Sequence, residues 1–135
     1  MSEWNFRDYL DQDGGNPIRK WIDKQPKKAR AKIDAWILIL EGISVWPPQY
    51  VSALKGCRDV FELRIVQNGV QYRPLGCFGP DKREFTLLLG AVEKGQLPKS
   101  FCEVTQNRRQ IILLDRRRTC EHQFAEEPDT SENQK

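Results

Sequence analysis

No stretch of this 135-residue chain approaches the ~20 consecutive apolar residues of a membrane-spanning helix. Its first residues, Met1-Ser2-Glu3-Trp4-Asn5, lack a basic segment followed by an apolar one, so no signal peptide is expected. The four cysteines, Cys57, Cys77, Cys102 and Cys120, contain no Cys-x-x-Cys, which leaves a zinc site or a thioredoxin-like motif without support. A cytoplasmic location and four reduced thiols are the resulting expectations. The one histidine, His122, falls in a polar tail where no role is expected. No internal repeat is visible.

What is present is ordinary in bulk and uneven in arrangement. Thirty per cent charged and 39% hydrophobic residues suit one soluble globular domain with a modest core. The net charge of +3 hides a partition. Residues 1–13 carry −3, residues 119–135 carry −4, and residues 14–118 carry +10. A basic body with acidic ends favours a polyanionic or acidic partner. A solvated charged surface explains the same numbers.

The pattern along the chain is β-α-α-β-β-β-α. Trp4 to Leu10 reads as a strand. Asn16-Pro17 reads as an N-cap followed by proline at the first helical position, with the helix running to about Lys24. Pro26 starts a second helix whose Ala29, Ile33, Trp36, Ile37 and Leu40 share one face and which stops at Gly42. Glu84 through Val92 reads as a strand, buried on both faces over Thr86–Leu89. Pro98 starts a last helix over 99–118, whose terminal Arg116-Arg117-Arg118 suits a helix C-terminus. The rest, 119–135, reads as a disordered acidic tail. The fold class is α+β: a small, mostly antiparallel sheet packed against an N-terminal helical hairpin and a C-terminal helix.

The most specific local signal is Asn68-Gly69 between two alternating apolar runs. A two-residue type I′ turn there pairs Gln67 with Val70, and every cross-strand pair sums to 137. Arg64 then lies opposite Arg73. Like charges so placed destabilise a sheet, which suggests an anion between them. The alternative is that each pairs with an acid such as Glu62 or Glu84. Tyr72 should face the core beside Ile65. Pro74, inside the second strand, requires an edge position or a bulge.

Taken together, Gly15-Asn16-Pro17-Ile18-Arg19-Lys20-Trp21-Ile22, Leu54-Lys55-Gly56, Phe61-Glu62-Leu63-Arg64, Tyr72-Arg73, Leu87-Leu88-Leu89-Gly90-Ala91-Val92-Glu93-Lys94 and Leu97-Pro98-Lys99 resemble the RelE/ParE toxin superfamily, in its HigB-like, phage-derived branch. The resemblance covers residues 4–118. It implies a RelE-like toxin domain over 1–118 and the toxin half of a type II toxin–antitoxin pair. The implied activity is a ribosome-dependent mRNA endoribonuclease that needs no metal and no cofactor, in which a ribose 2′-hydroxyl attacks the adjacent phosphate. The implied partners are a helix-turn-helix antitoxin, the ribosome and mRNA.

By the same resemblance Arg64, Arg73 and Lys94 are the catalytic candidates. Glu93 stands where the family carries a second cation and is read as neutralising Lys94. Lys99-Ser100-Phe101-Cys102-Glu103 lacks the tyrosine or histidine the family often places near the last helix. Candidates for phosphate contact are Lys27, Lys28, Arg30 and Lys32 on the second helix, Lys55, and Arg108 and Arg109 on the last. Two alternatives remain open: an inactive or repurposed protein-binding module, and a ParE-type gyrase inhibitor.

Overall fold

Asn16 and Pro17 open the first helix as the sequence suggests. The Asn16 side chain accepts from the Arg19 amide at 2.9 Å, satisfying one of the amides a helix start leaves bare. The computed structural model describes residues 2–92 and 99–124. Its elements are β1 (Asn5–Tyr9), α1 (Pro17–Asp23), α2 (Lys27–Glu41), β2 (Val51–Ala53), β3 (Phe61–Leu63), β4 (Ile65–Gln67), β5 (Val70–Tyr72), β6 (Leu75–Phe78), β7 (Glu84–Leu89), α3 (Lys99–Leu114) and β8 (Thr119–Glu121).

Six strands form a sheet in the order β2-β3-β6-β7-β1-β8, and β4 and β5 form a separate hairpin. The chain is thus α+β with a mostly antiparallel sheet; the pair β1–β7 is parallel. One face of the sheet carries Phe6, Leu63, Phe85 and Leu87 against Ile18, Ile22, Ala29, Ile33, Ile37 and Leu40 of α1 and α2. The other carries Tyr9, Cys77 and Leu88 against Ile112, and Leu75 and Val60 against Phe101, all under α3. The sheet is therefore the middle of three layers. Trp21 lies flat on Gly90, where any Cβ would collide with the indole. Trp36 packs against Tyr50 at a tilt of 36°, with centroids 4.6 Å apart.

Four expectations are corrected. The last helix ends at Leu114, and Arg116–Arg118 form a 3₁₀ turn capped by Asp115. Those arginines are not simply helix-end cations. Arg116 holds the buried Glu84 at 2.6 Å and Arg118 lies over the Tyr9 ring. Burial works against ionised Glu84, but the Arg116 hydrogen bond, the Asp81 amide and the charges of Arg7 and Arg116 together outweigh it and hold the carboxyl below its ordinary range. Second, the tail boundary moves: Thr119–Glu121 is a strand that pairs antiparallel with β1.

The third correction concerns the thiols. Cys57 and Cys102 form a disulfide that joins the β2–β3 loop to the first turns of α3, with Cα atoms 5.5 Å apart. Cys77 and Cys120 are free. Burial pushes the Cys77 thiol up to about 12, and it raises Cys120 as well, so neither is a reactive thiolate near neutral pH.

His122, expected to be idle, is instead buried between two carboxylates. Its Nδ1 lies 2.7 Å from Asp8 Oδ1 and its Nε2 3.0 Å from Asp34 Oδ1, with the imidazole fully buried. Asp8 also accepts from Asn16 Nδ2 at 2.8 Å and from the Gln123 amide at 3.2 Å. Arg19 reaches Asp34 at 3.3 Å. Burial alone would lower the His122 pKa. The two carboxylates reverse that and raise it to about 9.

The raised value makes the clasp pH-sensitive. A histidine whose folded pKa exceeds its unfolded 6.5 stabilises the fold fully below pH 6.5, and the contribution disappears as pH rises through about 9. Denaturant unfolding at pH 6, 7.5 and 9.5 should show stability falling by up to about 3 kcal/mol across that window. His122→Ala, which leaves Asp8 and Asp34 facing each other, should cost roughly 3–5 kcal/mol at pH 7 and abolish most of the dependence.

The disulfide yields a second expectation. Closing a loop with a sequence separation of 45 constrains the unfolded chain by about 4 kcal/mol in the entropic treatment. Thiol titration of the unreduced, unfolded protein should find two reactive thiols, and Cys102→Ser should lower the unfolding midpoint. Four reactive thiols would show that the bond does not form.

Candidate functional site

The hairpin adopts the expected turn. Asn68 and Gly69 have φ of 54° and 76°, the two positive values a type I′ turn needs. Its pairs are Gln67↔Val70, Val66↔Gln71 and Ile65↔Tyr72. Beyond a break at Arg64 and Arg73, the same register resumes as Glu62↔Leu75 and Phe61↔Gly76. Pro74 does not shift it. Leu63 donates to the Pro74 carbonyl at 2.9 Å, and proline simply returns no bond. Tyr72 is buried with Ile65 in the cluster under α1 and α2, as expected.

Arg64 and Arg73 are therefore opposite each other, and their backbone bonds identify the kind of pair. The Arg64 amide donates outward to Tyr50 O at 2.8 Å, and the Arg73 amide outward to Ala91 O at 2.7 Å. Amides turned away from each other mark a non-hydrogen-bonded pair, the type that holds facing side chains closest. By strand alternation the two arginines share the face of Glu62 and Leu75, on the α3 side of the sheet.

Glu62 settles the repulsion between them. Its buried carboxylate accepts on Oε1 from both Arg64 Nε at 3.0 Å and Arg73 Nη2 at 3.2 Å, and Arg73 Nη2 also lies 3.0 Å from Oε2 as an ion pair. The acid-pairing alternative is thus realised on Glu62. Glu84 is engaged elsewhere, by Arg7 at 3.7 Å and Arg116. The three side chains still sum to one positive charge. The Arg64 side chain is 48% exposed against 15% for Arg73. With Nε fixed on Glu62, the Nη groups of Arg64 make no hydrogen bond among the described residues.

The remaining candidates divide. Lys94 and Glu93 lie outside the described residues. Lys27 and Lys28 are exposed and Arg30 and Lys32 half-buried on α2, one layer away on the other side of the sheet from Arg64 and Arg73. The structure does not bring the two groups together. Lys55 is exposed in the β2–β3 loop that the disulfide fastens to α3. Arg109 pairs with Asp59 of that loop at 3.7 Å. Arg108 is a packing residue: it donates to Leu88 O at 2.6 Å and lies over the Tyr9 ring.

Chemically, the arrangement offers a pre-oriented guanidinium beside a second one, on a strand pair fixed from both sides. That suits binding a phosphate or carboxylate. Glu62 is the residue whose weight was underestimated; its place on the arginine face was visible from the register. Glu62→Gln should lower stability by roughly 3–5 kcal/mol, because the arginines lose their buried counter-ion. Inorganic phosphate should recover more stability in this variant than in wild type, read by thermal unfolding. An identical phosphate response in both would argue that the arginines take no anion.

No protein-family model matches this chain, and no curated protein matches it either.

Proposed function

We propose that this chain is a RelE-like toxin of the HigB-like type and that it cleaves mRNA on the ribosome. The observation that carries the reading is the Arg64–Arg73 non-hydrogen-bonded pair anchored on Glu62, in the order of motifs that resembles that superfamily. In this reading the 2′-hydroxyl of a ribose gives up its proton and its oxygen forms a bond to the adjacent phosphorus as the bond to the 5′-oxygen breaks; the 5′-oxygen takes a proton, leaving a 2′,3′-cyclic phosphate and a 5′-hydroxyl. Arg64 and Arg73 stabilise the charge that builds on the phosphoryl oxygens. Glu62 is a positioning residue that holds Arg64 by its Nε. Lys94 is a further cation. Lys55 and Arg109 contact flanking phosphates, and the α2 lysines add sequence-independent attraction to RNA.

The partners in this reading are a helix-turn-helix antitoxin, mRNA and the ribosome, and the location is the cytoplasm. Among the described residues no helix is long and apolar enough to cross a membrane. The Cys57–Cys102 bond pulls the other way, since thiols in that compartment are kept reduced.

One observation favours a second reading, a repurposed protein-binding module. Glu62 already fills the space between the arginines, so the pair needs no outside anion to be tolerated. Controlled expression separates the two. A toxin arrests growth and cuts mRNA, and Arg73→Ala reduces cleavage by about 10²-fold or more, the size of losing one transition-state donor. Folded wild type that leaves growth and mRNA intact would sink the nuclease reading and leave the module.

A further inference from the structure

On the opposite side of the sheet from the arginines, past the end of α2, lies a cleft of about 280 Å³ lined by Trp4, Ser44, Val45, Trp46, Val51, Phe61 and Phe78. Four of the seven residues are aromatic. Their rings form one array: Trp4 to Trp46 at 5.1 Å, Trp4 to Phe78 at 5.2 Å, Phe61 to Phe78 at 5.0 Å, and Trp46 near-parallel to Phe78 at 5.7 Å. Both indole N–H groups are engaged within the protein, Trp4 on Ser44 O at 3.0 Å and Trp46 on Leu40 O at 2.8 Å. What the cleft offers a visitor is therefore ring surface, with one serine. Phe78 stays 39% exposed although it packs on four other rings.

The rim is cationic where the rings end. Arg83 stands over the Trp4 ring at 5.8 Å and its side chain is 62% exposed. Its one acidic partner among the described residues, Glu3, is 3.7 Å away and also open to water, an attachment worth little. Neighbouring Lys82 is exposed and makes no ion pair among the described residues. Asp81, the acid beside them, is held by Arg116 at 3.0 Å. Arg83 moreover has a φ of +63°, a conformation glycine adopts freely and a bulky side chain does not. An arginine is thus kept at a position where the backbone favours glycine.

We propose that this cleft binds an unstacked nucleobase, with the attached phosphate on Lys82 and Arg83. A flat π-surface beside an apolar wall is what stacked aromatics recognise, and the adjoining phosphate is what the rim matches. The base comes either from a free nucleotide or from a single strand of RNA. The proposal does not rest on cleavage at Arg64 and Arg73, which lie on the other face.

The test uses the full chain with two probes that it cannot cleave: 5′-AMP and a 2′-O-methyl hexaadenylate. Binding should be saturable and should shift the indole N–H resonances of Trp4 and Trp46. Arg83→Gly, which suits the backbone, and Phe78→Leu, which keeps apolar bulk, should each weaken binding about tenfold, the size of one lost base stack. Arg64→Ala should leave those shifts in place. Comparable affinity for both probes assigns the cleft to free nucleotide; binding of the oligomer alone assigns it to a strand. Unmoved Trp4 and Trp46 signals, or unchanged affinity in both variants, would overturn the proposal. So would Phe78-dependent self-association without nucleotide binding, which assigns the cleft to protein contact.

Discussion

The Asp8 carboxylate is the point on which this fold turns. It sits fully buried on the inner strand β1 and gathers His122, the Asn16 amide and the Gln123 backbone. Through His122 it reaches Asp34 on α2, and through Asn16 it reaches the start of α1. One carboxylate thereby fixes the last strand and both helices of one layer relative to the sheet. A buried negative charge is costly alone. Here the partners are supplied by segments more than 100 residues apart, so the network forms only when the chain is fully assembled. Its specificity is that of a polar network in which each member has a partner.

The arginine pair follows a different logic at the far side of the sheet. Ladder geometry brings Arg64 and Arg73 close, and Glu62 makes that closeness tolerable. The same carboxylate prevents the pair from being a simple anion hole. Arg73 is drawn in, and Arg64 stays half-exposed. A site built this way has a ready-made orientation and a modest positive charge. It favours ligands that bring strong negative charge and can share the arginines with Glu62.

Much of this was legible in the sequence wherever one local rule dominated. Asn68-Gly69 set the register, and that register ran through Pro74 to Phe61↔Gly76. Asn16-Pro17 and the Ala29–Leu40 stripe mark the two N-terminal helices, and of Thr86–Leu89, expected to be buried on both faces, Thr86–Leu88 are buried and Leu89 is half-buried. What was missed depends on long-range pairing. His122 looked like part of an acidic tail because its two carboxylate partners lie far away in sequence. The hint was present: Asp8 occupies a buried phase of β1 and Asp34 sits beside the apolar stripe of α2, and buried acids demand a partner. β2 and β8, three residues each, carry too little periodicity to read. Cysteine spacing alone gives no way to pair Cys57 with Cys102. The basic residues Lys27, Lys28, Arg30 and Lys32 do lie on the second helix, but nothing local says on which side of a sheet a helix will lie.

The Cys57–Cys102 bond also changes the chain's topology. It closes a covalent ring that contains β3 through β7, and with them Glu62, Arg64, Arg73 and the start of α3. The clasp around Asp8 lies wholly outside that ring, on the two open arms. A single break in the backbone between the two cysteines would leave one molecule, its arginine strands still joined to α3. The same break on either arm would release a piece of the clasp. The two polar centres of this fold therefore differ in what a protease or a reductant can do to them: one is enclosed by a covalent bond, the other is held by hydrogen bonds and charge.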